Sequence, residues 1–303
     1  MNNILTVTHY LQETLIYAKK DPFRHGMTFL LTHSECPFYF EPTTQSYWRL
    51  SHYIDGIVFN KVEQVEDFHQ CGIAFGQFQR MLDQFDASKL IETIPSFHNT
   101  QVRFDAFLKA IEKDQANRVD TVKTEIEFLI KNKEYASMIV DAISEGKVPL
   151  RVTHNDTKLN NVIFDKMTRE AICVVDLDTI MPGSLLYDFG DAIRYGANTA
   201  SEDELDLSKV DIDLTLFDAF TKGFIQEVGA VMSDGEIALL AVSPIVLTYE
   251  LALRFLTDYL NGDTYFKIHH PQHNLDRTRV QIALVIAMEA KLKAMQAIVE
   301  QYV

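Results

Sequence analysis

The sequence predicts an α+β fold: a small β-containing cap over residues 1–55, then a large, mainly helical body over residues 56–303 with one hairpin embedded in it. Three observations carry this reading. Short aromatic-rich runs of strand character are confined to the stretch before Asp55-Gly56. Apolar residues recur at threes and fours after residue 62. One pair of extended runs, around residues 161–177, interrupts that helical periodicity. The 303 residues suit one large domain or two lobes.

In chain order, Ile4, Leu5, Leu11, Leu15 and Ile16 lie at helical spacing over residues 3–17, and Asp21-Pro22 is expected to stop that helix. Residues 28–32, 38–41 and 47–54 read as short strands of an antiparallel unit, which Asp55-Gly56 closes. Val65, Phe68, Gly72, Phe75, Phe78 and Leu82 then mark a helix, and two more are expected over 104–113 and 122–143. Residues 150–153 are extended, and 161–164 with 172–177 form the hairpin. Helices over 214–231, 234–260 and 276–302 complete the body, the middle one kinked at Pro244.

Hydrophobic residues make up 47% and charged residues 23%, a globular balance that excludes disordered and collagen-like classes. Lys plus Arg number 28 against 43 Asp plus Glu, a net charge of −15. That sign argues against nucleic acid as a partner, since a phosphate-backbone binder needs a basic stripe. Cys36, Cys71 and Cys173 form no CxxC pair and no disulfide framework. No basic stretch followed by an apolar core opens the chain, so a cytoplasmic setting is expected. The longest apolar stretch, 237–247, contains Ser243 and Pro244 and falls short of the roughly 20 residues that span a bilayer, so no membrane partner is expected.

The chemistry concentrates between residues 151 and 178. Asp156, Lys158 and Asn161 sit on a loop between extended runs, and Asp176 and Asp178 end the second strand of the hairpin. A hairpin folds back on itself, so Asn161 and Asp176 are expected to converge on one ion. Hard oxygen donors of this kind suit Mg²⁺. An Asp five residues before that Asn can face a substrate hydroxyl. A base for an alcohol and a metal for phosphate charge is the layout of phosphoryl transfer.

The pattern His154-x-Asp156-x-x-x-x-Asn161 followed by Val175-Asp176 resembles the catalytic loop and metal motif of the aminoglycoside phosphotransferase and choline kinase family. These are small-molecule kinases with a protein-kinase-like fold. The strings VTHNDTKLNNVIFD, VVDLDTIMPGSLLYDFGDAIRYGA and LALRFLTDYLNGDTYFK are similar to those of family members that use ATP and Mg²⁺ to phosphorylate the anomeric hydroxyl of N-acetylhexosamines. The resemblance implies Asp156 as catalytic base and Lys158 near the γ-phosphate. It implies Asn161 and Asp176 as metal ligands with Asp178 nearby, and an adenine-contacting hinge including Leu50, His52 and Tyr53. It places Glu250, Arg254 and Tyr265 at the sugar. The implied partners are a nucleotide and a small-molecule sugar.

Asp188-Phe189-Gly190 spells a protein-kinase metal tripeptide, but it lies 27 residues after Asn161, against 15 for Asp176. The metal role is therefore assigned to Asp176, and Asp188 is expected to cap or brace the loop after it. Family members begin with a strand–loop–strand over the ATP phosphates. Here Gly26 is the first glycine and Met1 opens what reads as the helix after those strands. The expectation is an N-lobe shortened at its front, with weaker ATP positioning. Two alternatives stay open: an inactive sugar-binding remnant, and a kinase for an amino alcohol or aminoglycoside. Arg254 points away from a cationic acceptor.

Overall fold

A computed structural model describes residues 1–303. The chain opens on helix α1 (Asn2–Tyr17), with Ile4, Val7, Leu11 and Leu15 on its buried face. That stripe packs against Phe78, Leu82, Leu90, Val152, Leu177 and Ile180 of the body. Asp21-Pro22 starts a helix as well as ending one. The Asp21 side chain accepts the Phe23 N–H and Pro22 begins α2 (Pro22–His25), where its missing N–H leaves no helical bond unmade.

Four short strands follow, in two antiparallel pairs. β1 (Phe29–Leu30) pairs with β4 (Leu50–Ser51), and β2 (Tyr39–Glu41) with β3 (Ser46–Trp48). The single run expected over 47–54 is thus divided between two ladders. The division falls at Arg49, whose guanidinium pairs with Asp178 on the body. Residues 53–56 make no backbone hydrogen bond before Ile57 bridges to Phe164.

The body is built on α3 (Val65–Met81), α4 (Thr100–Lys113), α5 (Lys123–Lys131) and α6 (Glu134–Ser144), then the catalytic segment, then α7 (Leu185–Gly196), α8 (Leu214–Val228), α9 (Asp234–Leu240), α10 (Ser243–Leu260) and α11 (His273–Glu300). Two expected helices are split. The 122–143 helix breaks after Lys131, where Asn132 Nδ2 takes the Phe128 carbonyl and competes with the helical ladder. The 234–260 helix breaks into α9 and α10 at 66°, with Pro244 in the first turn of α10 rather than at a kink.

Fifteen of the eighteen residues of α10 are buried, with α4, α6, α7 and α11 packed around it. A helix enclosed on all sides is apolar on all sides. The backbones of α3 and α8 approach closely: a Cβ at Gly223 would lie 2.3 Å from the His69 carbonyl, so only glycine fits. No single helix is long and apolar enough to cross a membrane.

The catalytic segment contains β5 (Arg151–Thr153), β6 (Val162–Phe164), β7 (Ala171–Val174) and β8 (Met181–Gly183). β5 pairs with β8 and β6 with β7, both antiparallel. Helix α7 and strand β8 are absent from the sequence expectations. Ser184 caps Leu186 N–H to start α7. Leu185, Leu186, Phe189, Ala192 and Ile193 give it a helical apolar pattern.

Candidate active site

β5 and β6 hold the two ends of the loop carrying Asp156, and α7 lies beneath it. Arg151, the first residue of β5, anchors the strand. Its Nε and Nη2 bond the Glu236 carboxylate at 2.6 and 3.0 Å, and its Nη1 bonds Asp83 at 2.7 Å. Asp188 braces this loop from below; it lies inside α7 and does not serve the loop after it that the sequence predicts. Its carboxylate accepts the backbone N–H groups of His154 at 3.0 Å and Asn155 at 2.8 Å, and the Gln79 amide at 2.6 Å. Burial raises the Asp188 pKa against these donors. Gly190, the last letter of the misleading tripeptide, serves packing: a Cβ there would lie 2.8 Å from the Ser243 carbonyl of α10.

His154 is buried and structural. Its Nδ1 accepts the Asp156 N–H at 3.3 Å, so its Nε2 carries the proton and donates to the Val175 carbonyl at 2.8 Å. One ring thus ties the catalytic loop to the end of β7. Asn155 takes a left-handed conformation, φ 65°, in the middle of this turn.

The structure brings Asp156, Lys158 and Asn161 together. Lys158 Nζ lies 2.7 Å from Asp156 Oδ1, while Asn161 Nδ2 donates to Asp156 Oδ2 at 3.0 Å and to its carbonyl at 2.8 Å. Burial acts to lower the Lys158 pKa, but the Asp156 carboxylate outweighs it and holds the value above the ordinary lysine range.

Asp176 follows directly. Val175 N–H donates to the Asn161 carbonyl at 2.9 Å, which sets Asp176 beside Asn161 at the open end of the hairpin. Asp176 is exposed and left-handed, φ 59°. Its carboxylate makes no hydrogen bond or ion pair with the protein, and neither does Asn161 Oδ1. The backbone brings the two residues together, and hard oxygens of this kind, without a protein partner, suit a divalent cation that keeps several of its waters. Asp178 is placed differently: its carboxylate is paired with Arg49.

Asp156 and Lys158 open onto a cleft of about 510 Å³ whose far wall carries Glu250 and Arg254. Glu250 is buried. It accepts from Thr100 Oγ1 at 2.9 Å and meets His98 Nδ1 at 3.0 Å. Burial acts to raise its pKa, but His98 and then Arg254 hold it below the ordinary glutamate value. Arg254 Nη1 stands 3.8 Å from Glu250, and its guanidinium lies over the rings of Phe97 and Phe266 at 5.2 and 5.6 Å. It makes no hydrogen bond to the protein, so its donors remain available to a ligand.

Tyr265 does not line this cleft. It borders a separate hollow on the other side of Arg254, and Phe266 takes the cleft position. Asp258 sets that arrangement by accepting the N–H groups of Thr264, Tyr265 and Phe266 at 2.9, 2.9 and 3.0 Å. Leu50, in β4, and His52 and Tyr53, on the segment that follows it, also lie outside the cleft. His52 N–H is bonded to Thr28. Leu50 and Tyr53 are exposed.

Sequence reasoning missed Asp191 and Arg194 on α7. Asp191 accepts the Thr157 N–H at 3.3 Å and both Nε and Nη2 of Arg194, at 3.1 and 2.8 Å. Burial acts to raise the Asp191 pKa, and Arg194 outweighs it. The i, i+3 spacing of Asp191 and Arg194 is the available signal.

Residues 29–218 match the model of the phosphotransferase enzyme family, APH. Among solved structures, an aminoglycoside phosphotransferase from Alicyclobacillus acidocaldarius superposes with a TM-score of 0.63 at 13% identity, over 98% of this chain and 84% of that one. A microcompartment-associated aminopropanol kinase gives 0.58 at 13%, over 98% and 83%. A spectinomycin phosphotransferase, solved with ADP and spectinomycin, gives 0.57 at 12%, over 96% and 82%. At such identities the likeness shows the fold, while the family match spans most of the chain, cap strands and catalytic loop included. This chain therefore belongs to the APH phosphotransferase family and is a small-molecule kinase of the aminoglycoside phosphotransferase and choline kinase type.

Proposed function

We propose that this kinase transfers the γ-phosphoryl group of ATP to the anomeric hydroxyl of an N-acetylhexosamine. The observation that carries the choice of acceptor is the charge of the cleft. In a chain of net charge −15, the acceptor cleft sets four carboxylates (Asp156, Asp191, Glu202, Glu250) against five cations (Lys158, Arg194, Arg254, Lys267, Arg277). A polycationic aminoglycoside or a quaternary amine is better matched by an acidic cleft. A neutral ring with hydroxyl and amide groups suits this one. Arg254 has free donors for it, and Phe97, Phe255 and Phe266 offer apolar surface to its carbon face.

In this reading the acceptor O–H faces Asp156, whose orientation Lys158 and Asn161 fix through its two carboxylate oxygens. The acceptor oxygen bonds to the γ-phosphorus, the bond to the ADP oxygen breaks, and the acceptor proton passes to Asp156. Most of the barrier lowering in such a reaction comes from positioning and charge stabilisation. Lys158 lies where its ammonium can reach from Asp156 to the transferring group. Mg²⁺ held by Asn161 and Asp176 would supply neutralisation of phosphate charge. The free backbone groups of residues 53–56 and the exposed Leu50 and Tyr53 offer hydrogen bonds and apolar surface to an adenine.

An ADP-release assay across N-acetylglucosamine, N-acetylgalactosamine, ethanolamine, choline and an aminoglycoside tests this. Turnover of the sugars alone is expected. Turnover of the amines alone would contradict the acceptor assignment. Sugar binding without any ADP release would fit a sugar-binding protein that has kept the cleft and lost transfer.

A further inference from the structure

A second, larger cavity adjoins the acceptor cleft. It encloses about 690 Å³ between the start of α11, the end of α7, the 198–203 loop and residues 60–62. That volume lies within the range of roughly 300–1,000 Å³ typical of small-molecule sites. The two spaces share the wall formed by Arg194, Tyr195, Glu202 and Arg277.

Gln281, on this second cavity, is 1% exposed, and its side chain makes no hydrogen bond; its Oε1 is fully buried without a partner. One helical turn earlier, Arg277 Nε is also buried without a partner, and its nearest carboxylate, Glu202, is 4.0 Å away. Buried polar groups in folded proteins are nearly always paired, and leaving one unpaired costs about 1–3 kcal/mol. Those two atoms have no surface on the cavity themselves; their neighbours Gln281 Nε2 and Arg277 Nη2 also lack a protein partner and are the donors a molecule in the cavity would meet.

Three cations, Lys61, Arg194 and Arg277, face two carboxylates, Glu202 and Asp203, so the walls come close to charge balance. Glu202 bonds Arg194 at 3.2 Å, and Asp203 meets His273 at 3.3 Å. The Gln281 Nε2 and Arg277 Nη2 donors suit the hydroxyl and carbonyl oxygens of a small molecule. Leu159, Leu216 and Val62 supply apolar surface. We propose that this cavity is a second binding site, separate from the acceptor cleft, for a neutral hydroxyl-rich molecule of monosaccharide size, held by Gln281 and Arg277. The proposal does not depend on which acceptor the kinase phosphorylates.

Equilibrium dialysis with radiolabelled N-acetylglucosamine, on the full chain without nucleotide, counts the sites. The expected result is two per chain in the parent, one in Arg254→Ala, and one in Gln281→Met. Ser201→Trp, a plug placed from an exposed loop residue on the rim, is expected to leave one as well. It decides the matter if Gln281→Met melts early. A single parental site that vanishes in Arg254→Ala and survives Gln281→Met and Ser201→Trp would overturn the proposal, as would no site at all. A single site lost in Gln281→Met and Ser201→Trp but kept in Arg254→Ala would support this cavity and count against the acceptor assignment.

Discussion

Both N–H directions of the Asn161 amide are spent on Asp156, one on its carbonyl at 2.8 Å and one on its carboxylate at 3.0 Å. The amide oxygen is thereby turned away from the base and left without a protein partner. In the proposed function one side chain thus orients the base and would offer an oxygen to the cation. Asn161→Ala and Asp176→Asn are expected to raise the Mg²⁺ concentration needed for half-maximal activity by about tenfold or more, and a chelator to abolish turnover. Titrating Mg²⁺ against ADP release checks this. Asn161→Ala should also lower the rate at saturating Mg²⁺, because Asp156 loses its amide donor, whereas Asp176→Asn should be rescued further by added metal.

Asp188 carries the shape of the loop. Its Oδ2 accepts two of the three N–H donors and its Oδ1 the third; Asp188→Asn replaces one of these oxygens with an NH₂ group that cannot accept. Hydrogen bonds to a charged acceptor are worth about 1.5–3 kcal/mol each. Burial has already raised the Asp188 pKa, which offsets part of that gain. The expected net loss is about 2 kcal/mol, read from urea unfolding, together with loss of activity in the protein that remains folded.

Arg151 links β5 to α9 and the end of α3 through Glu236 and Asp83, and the Glu236 side chain is fully buried. Arg151→Met strands that carboxylate. Breaking one partner of a buried pair costs about 3–5 kcal/mol. A fall in unfolding free energy of that order is expected, reduced in Arg151→Met/Glu236→Leu, where only the less buried Asp83 loses its partner.

The Glu250 carboxylate gives the acceptor wall a pH dependence. Its folded pKa lies below the ordinary value of 4.5. Its stabilisation is therefore complete above about pH 4.5 and is lost as pH falls through the folded value. Melting temperature measured from pH 6 down to pH 3 should fall less steeply in Glu250→Gln than in the parent. Arg254→Ala is expected to raise the sugar KM by about tenfold or more while changing kcat less, as loss of a binding contact does.

The loop and hairpin are legible in the sequence because their chemistry is local. Asp156, Lys158 and Asn161 fall within six residues, and a short hairpin must return Asp176 to its own start. The spacing from Asn161 also separates Asp176 from Asp188. What escaped is what depends on distant partners or on a buried helix. Helix α7 carries a helical apolar stripe, but its polar residues Asp188, Asp191 and Arg194 are buried and not exposed to solvent, and Asp188 and Asp191 meet loop residues distant in sequence. His98 and Thr100 meet Glu250 from some 150 positions away, with no local signature. Tyr265 and Phe266 are neighbours of similar character. Only the three backbone N–H groups held by Asp258 decide which ring reaches the cleft.

The central claim is that Asp156 takes the proton of the alcohol while the paired oxygens beside it serve the phosphate. Its most direct test is the rate of sugar phosphate formation by Asp156→Asn against the parent, at saturating ATP, Mg²⁺ and N-acetylglucosamine, with ³¹P NMR of the product. General base removal costs about 10²–10⁴-fold, so a rate reduced to that extent in a protein that melts like the parent is expected, with the parent's product carrying its phosphate on the anomeric oxygen. Turnover by Asp156→Asn at the parental rate would contradict the claim outright.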